Sequence, residues 1–342
     1  MTNIKITIMS AFFLKNSISR STRVRLNQSC PRSRSFPSSN LRHTFSSTTT
    51  ASAGIQLNFD WVKPPEDAGK ANHVVLFLHG LLGNGRNLRT MARKLCDRHN
   101  QPGMLLDVRG HGGSKLTSQQ ASTFDACAQD INTTLDHTQE FSSDTKVTLV
   151  GHSLGGRISL QYVYNSLHNV NNNNNYNYKI QRVWLLDTVP GEANDSVERV
   201  VGAVTDLSAK SAITNRKELV EQLTSQTYGI DTGTAQWLAA SLQTNKETGT
   251  MEFGFDLTVV NDLLADFHSQ DFLGMLNDVV NSGVRVDLVR GGKNAGWTEA
   301  TLGALRDLEI QSGEHFGFHT LSDAGHWVHV DDLPGLLQIM QV

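Results

Sequence analysis

Six short apolar runs punctuate the chain. Val74–Leu78 (V-V-L-F-L) is continuously apolar, the pattern of a strand buried on both faces. Met104–Asp107, Lys146–Val150 (K-V-T-L-V), Arg182–Leu186 (R-V-W-L-L), Val284–Val289 and His315–Leu321 read as further strands. Between them the apolar spacing becomes helical: over Leu88–Arg98, over Phe124–Phe141, and after Ser153 in R-I-S-L-Q-Y-V-Y, with Leu333–Met340 as a short closing helix. Strands alternating with helices predict βαβ units, hence an α/β fold with a mainly parallel sheet and helices on both faces. From 192 to 282 the strand pattern stops. Val197–Ser208, Lys217–Thr227, Thr234–Thr244 and Leu257–Asn277 predict helices of mixed polarity, an inserted helical cap over the sheet edge. The expected division is a core of 55–191 and 283–342, a cap of 192–282 and a separate tail of 1–54.

Composition changes the picture at two places. No Asp or Glu precedes Asp60, while six arginines from Arg20 to Arg42 lie in a Ser/Thr-rich stretch. Arg-rich, Ser-rich and acid-poor is the signature of a transit peptide, which predicts a mitochondrial address, with a plastid as the alternative. The low-complexity stretch Asn169–Tyr178 predicts a polar surface insertion. Otherwise the 342 residues carry a formal net charge of −3, which gives no nucleic-acid footprint. No apolar run is long enough to cross a membrane. Cys30, Cys96 and Cys127 show neither metal-ligand spacing nor disulfide arithmetic.

The predicted strand ends carry the chemistry. K-V-T-L-V runs directly into Gly151-His152-Ser153-Leu154-Gly155, and G-x-S-x-G between a strand and a helix is the form of a nucleophile elbow. The pentapeptide alone is weak, because a chain with 28 glycines yields one by chance roughly 0.2 times. Its flanks and the other strand ends add the weight. His79-Gly80, Asp107, Asp187, Gly291 and His326 all fall at carboxyl ends of strands, where ligands bind in open α/β sheets. A serine needs a base, and His326 follows the last strand in a Gly-flanked loop, with His329 as the alternative. His152 is expected to pack beside the nucleophile, His79 to hold the following loop by hydrogen bonds, and His111 to be a structural turn residue. For the acid that orients the imidazole, Asp187 is preferred, with Asp262, Asp266 and Glu299 as alternatives. Asn294 stands in the next strand-end loop, where an acid could otherwise be expected. Asp287 lies within its strand and is expected to face away. The two oxyanion amides are expected from Leu154 and from Leu81 in H-G-L-L-G, whose glycines should let amides point inward.

The stretches H-G-L-L-G-N-G-R-N (79–87), D-V-R-G-H-G-G-S (107–114), G-H-S-L-G-G (151–156), L-D-T-V-P (186–190), R-G-G-K-N (290–294) and A-G-H-W-V-H (324–329) together resemble the α/β-hydrolase superfamily. Within it they are similar to the YbfF-like esterases and the alpha/beta hydrolase domain-containing protein eleven group. The resemblance implies Ser153 as nucleophile, His326 as base and Asp187 as acid. It implies hydrolysis of acyl esters or thioesters, often lipid-like, with no metal or organic cofactor, and a mitochondrial address for eukaryotic members. Two other expectations stay open: acyl transfer or C–C hydrolysis on the same fold, and a ligand-binding module or partner of a mitochondrial enzyme complex.

Overall fold

The computed structural model describes residues 54–63, 71–116, 120–168, 178–190, 195–210, 213–245 and 249–342. The expected targeting segment apart from Gly54, and the Asn-rich insertion apart from Tyr178, lie outside them. In chain order the elements are β1 (Phe59–Lys63), β2 (His73–Leu78), α1 (Arg89–His99), β3 (Gly103–Leu106), α2 (Phe124–Asp136), β4 (Lys146–His152), α3 (Leu154–His168) and β5 (Lys179–Leu186). Then come α4 (Asp195–Lys210), α5 (Arg216–Thr224), α6 (Thr232–Ala240), β6 (Gln243–Thr244), β7 (Met251–Glu252), α7 (Leu257–Phe267) and α8 (Phe272–Asn281). The chain closes with β8 (Val286–Gly291), α9 (Glu299–Ser312), β9 (Phe316–Leu321), α10 (Val328–Asp331) and α11 (Leu333–Ile339).

Seven strands form one sheet in the order β1-β3-β2-β4-β5-β8-β9, parallel except for β1, which pairs antiparallel with β3 at the edge. The alternation of side chains along each strand divides its apolar residues between two layers. From β2, Val74, Leu76 and Leu78 join a core that includes residues of α2, α3, α8 and α9. Val75 and Phe77 join the opposite core, with Met91 and Leu95 of α1 and Leu336 of α11. A third cluster unites α4 to α7 (Val204, Leu219, Leu238 and Val260 among them) and takes in Leu82 from the loop after β2.

Several local expectations are corrected. The helix expected over Leu257–Asn277 is two helices, because Asp271 accepts the Gly274 N–H at 2.9 Å and starts α8 afresh. That second helix packs Phe272, Met275 and Leu276 into the core cluster shared with α3, although it falls inside the 192–282 stretch. The helix expected over Phe124–Phe141 stops at Asp136. Four elements gave no legible pattern: β1, whose five residues are all half-buried, the two-residue strands β6 and β7, and α9.

Candidate active site

β4 leads straight into α3 with Ser153 between them at φ 52, a left-handed backbone that a non-glycine residue holds only when its surroundings impose it. The Ser153 N–H donates to the Leu186 carbonyl at 3.0 Å, tying the turn to the end of β5. The Thr188 hydroxyl donates to the Ser153 carbonyl at 3.2 Å. The glycines of G-H-S-L-G serve close approach: a Cβ on Gly151 would lie 2.3 Å from the Gly155 backbone, and one on Gly155 2.2 Å from the Leu78 carbonyl oxygen.

Asp187 follows β5 directly, at φ 44, with its carboxylate fully enclosed. His326 Nδ1 lies 2.7 Å from Asp187 Oδ2, and its imidazole is 40% exposed. With Nδ1–H donating to the carboxylate, Nε2 is the nitrogen left to take a proton. Three more donors converge on Asp187. The Gly291 N–H reaches Oδ1 at 2.8 Å, Trp297 Nε1–H reaches Oδ1 at 3.0 Å, and the Asn294 side-chain amide donates to Oδ2. No periodic signal in the sequence marks Asn294, which stands where an acid could otherwise be expected, or Trp297 as a partner of Asp187.

The alternative acids are engaged elsewhere. Asp262 and Asp266 accept the backbone N–H groups of Ser122 and Phe124 at 3.3 and 2.7 Å, at the start of α2. Glu299 is exposed in the first turn of α9. Asp287 faces away from the site toward Arg285, Arg182 and His319. Burial opposes its charge, but those partners hold its carboxyl below the ordinary value.

Five histidines crowd this edge. His152 Nε2–H donates to the His326 carbonyl at 2.9 Å, and its ring lies 4.7 Å from those of both His326 and His329. Burial, reinforced by His329 and His326, holds His152 neutral. Burial and then His326 push His329 down to about 4, and its buried Nδ1 has no hydrogen-bond partner among the described residues. His79 is lowered by burial as well; its Nδ1–H donates to the Gly80 carbonyl at 2.8 Å and its Nε2 accepts the Val108 N–H at 3.0 Å. His111 repeats that arrangement: Nδ1–H donates to the Arg109 carbonyl at 2.9 Å, and Nε2 accepts the Leu82 N–H at 3.3 Å. Burial and His79 push it down to about 3. Both rings therefore pin H-G-L-L-G to the 107–114 turn in one neutral tautomer. His111 reaches the loop itself, a contact that its place in a Gly-rich turn did not reveal.

Within H-G-L-L-G the left-handed residue is Leu82, at φ 63, and neither Gly80 nor Gly83 has a positive φ. The glycines make room instead, since a Cβ on Gly80 would meet His152 Nδ1 at 2.9 Å. Leu82 N–H is held by His111, and Gly83 N–H donates to the Gly80 carbonyl at 3.1 Å. The Leu81 N–H makes no hydrogen bond among the described residues. Leu154 opens α3, so its N–H is one of the donors a helix leaves free at its start. Among the described residues no group of three His, Cys, Asp or Glu could hold a metal ion, and no helix is long and apolar enough to cross a membrane.

Comparison with known proteins places the chain in a family. An sn-1-specific diacylglycerol lipase ABHD11 from Danio rerio is 22% identical over 270 residues, covering 75% of this chain and 74% of that protein. Esterase YbfF of Escherichia coli is 37% identical over 86 residues, 25% of this chain and 31% of the esterase. Ethanol acetyltransferase 1 of Kluyveromyces marxianus is also 37% identical over 86 residues, 25% of this chain and 22% of that enzyme. The chain thus spans about a third or less of the two acetyltransferases first among its curated relatives. The solved structure of a marine microorganism esterase superposes with a TM-score of 0.61 at 18% identity, covering 83% of this chain and 98% of that one. The family model described as the alpha/beta hydrolase fold matches residues 73–333, and the chain belongs to that family.

Proposed function

We propose that the protein is a serine hydrolase that cleaves carboxylic esters or thioesters through an acyl-enzyme. The observation that carries the reading is the 2.7 Å contact between His326 Nδ1 and Asp187 Oδ2, together with a serine held at φ 52 whose N–H donates to the Leu186 carbonyl next to Asp187. Ser153 Oγ attacks the acyl carbonyl while His326 Nε2 takes its proton. The Leu81 and Leu154 N–H groups receive the oxyanion. As the tetrahedral intermediate collapses, the alcohol or thiol leaves with the proton from His326. Water, deprotonated by the same nitrogen, attacks the acyl group, and the acid departs as Ser153 recovers its proton. Throughout, Asp187 fixes the imidazole tautomer and offsets the imidazolium charge.

Within 192–282, α4 to α7 form the cap in this reading, supported by their own apolar cluster closing on Leu82. A lipid-like acyl group is favoured by the relative named as a diacylglycerol lipase. Residues 1–54 are proposed to carry a mitochondrial address, which a reporter fused to them checks by its location.

The test of the reaction is turnover of p-nitrophenyl esters and matched thioesters of increasing acyl length, with fluorophosphonate labelling of the same protein. Activity and labelling are expected to vanish in Ser153→Ala, and labelling that survives it overturns the assignment. A second reading, transfer of the acyl group to an alcohol instead of water, is favoured by the relative named as an ethanol acetyltransferase. Product analysis with an acyl donor and ethanol separates the two: alkyl ester in excess of free acid identifies transfer.

A further inference from the structure

The Asp187 carboxylate has four donors, and three of them come from one seven-residue loop, Gly291 to Trp297. This loop is stitched to the one that carries His326. Gly292 N–H donates to the Leu321 carbonyl at 2.8 Å and Lys293 N–H to the Ala324 carbonyl at 2.9 Å. The approach is so close that a Cβ on Gly291 would lie 2.0 Å from the Gly325 carbonyl oxygen. One loop therefore meets both the carboxylate and the backbone that carries the imidazole. Asn294 is itself braced, its Oδ1 accepting the Gly296 N–H at 2.9 Å, so the side-chain amide is aimed with its N–H toward Asp187. Trp297 is buried, which leaves its indole N–H little freedom to leave Oδ1.

We propose that Asn294 and Trp297 are positioning residues, which clamp Asp187 with one side-chain donor on each carboxylate oxygen so that Oδ2 stays aimed at His326 Nδ1. This deepens the acyl-enzyme reading and rests on it for its kinetic consequences. A carboxylate held only by the Gly291 N–H and the imidazole could turn about its Cβ–Cγ bond and carry Oδ2 out of line. Misplacements of about 1 Å in such constellations cost up to about 100-fold in rate. The residue type matters as much as the place. Asparagine at 294 supplies a donor to Oδ2, whereas aspartate there would set a second negative charge against it.

The test uses the full chain, with p-nitrophenyl butyrate as substrate. Asn294→Ala and Trp297→Phe are each expected to lower kcat about tenfold with KM within twofold of the parent, and their combination about 100-fold. Asn294→Asp keeps the volume and is expected to move the acidic limb of the kcat/KM profile upward by about one unit, because a second negative charge near the imidazole favours its protonated form. The titratable groups facing His326 are Asp187 after β5, His152 at the end of β4 and His329 on α10, all unchanged in these variants. A role in packing alone would leave that limb in place. The proton resonance of His326 Nδ1–H gives a readout that needs no turnover, and it is expected to shift in Asn294→Ala. If Trp297→Phe does not fold, Asn294→Ala and Asn294→Asp carry the test alone. The clamp is overturned if Ser153→Ala is inactive while both Asn294 variants keep kcat within twofold, an unmoved acidic limb and an unmoved resonance. If Ser153→Ala retains turnover, it is the acyl-enzyme reading that fails, and the resonance still decides whether the clamp exists.

Discussion

Asp107 and Asp187 occupy equivalent places, each just beyond the end of a parallel strand, each buried and each saturated with donors. Asp107 receives the N–H groups of Gly85 and Gly113 at 2.8 Å each and the Asn58 side-chain amide at 2.9 Å. All three are permanent donors that cannot take up or release a proton near neutrality, and their bonds to the carboxylate close a turn. Asp187 receives one backbone amide, two side-chain donors and an imidazole. The imidazole is the one partner that carries a proton in the proposed reaction. Burial and full hydrogen bonding are therefore common to a turn-closing carboxylate and to the proposed acid. What separates them is whether an imidazole is among the donors.

The strongest way to break the comparison is Asp187→Asn. It keeps the shape but admits the wrong imidazole tautomer, so kcat is expected to fall about 10³- to 10⁴-fold, read on p-nitrophenyl butyrate. The denaturation midpoint should move far less than kcat does. Asp107→Ala should do the reverse. It leaves two backbone amides and the Asn58 amide without their acceptor, at a cost of about 2–4 kcal/mol in urea denaturation, while kcat per folded molecule stays within a few-fold. A large kcat loss in folded Asp107→Ala would erase the distinction between the two turns.

A pH experiment sharpens it further. His111 and His329 are pushed down to about 3 and about 4, from an ordinary value near 6.5. Above 6.5 both states of the protein hold these rings neutral, and nothing changes. Below it the unfolded chain binds protons that the folded one refuses, so stability falls as pH drops from 6.5 toward 4. Each ring contributes at most about 1.4 kcal/mol per pH unit, or about 2 kcal/mol between 6.5 and 5. Urea midpoints at pH 7, 6 and 5 check the slope, and His329→Gln should flatten it by about one proton. The smallest effect is expected from Lys293→Ala, which removes an exposed ion pair with Asp323 at 3.2 Å beside the acid clamp. Such a pair contributes under about 1 kcal/mol, and kcat should not change.

The six parallel strands of the sheet and the elbow are legible because their signals are local. V-V-L-F-L and K-V-T-L-V need no partner to be read as buried strands, and G-H-S-L-G announces its turn through its immediate flanks. The family followed from the order of such motifs. What stayed illegible joins distant segments. Asn294 meets Asp187 across 107 residues of sequence and Trp297 across 110, and no periodicity encodes either meeting. The break between α7 and α8 carries neither glycine nor proline; the polar run His268-Ser269-Gln270-Asp271, ending in the Asp271 cap, is its mark between two apolar stretches. The glycines of H-G-L-L-G suggest sources of backbone freedom, whereas the left-handed residue is Leu82, whose N–H is held by His111.

Among the described residues four non-glycine positions have a positive φ: Asn100, which caps α1, and Leu82, Ser153 and Asp187. The latter three surround the proposed reaction centre, and each holds a backbone disfavoured by about 1–2 kcal/mol. Selection of variants for heat resistance alone would thus be drawn toward glycine at those three sites. Such a campaign would enrich well-folded, inert proteins, and only a screen that scores turnover beside survival would keep the enzyme.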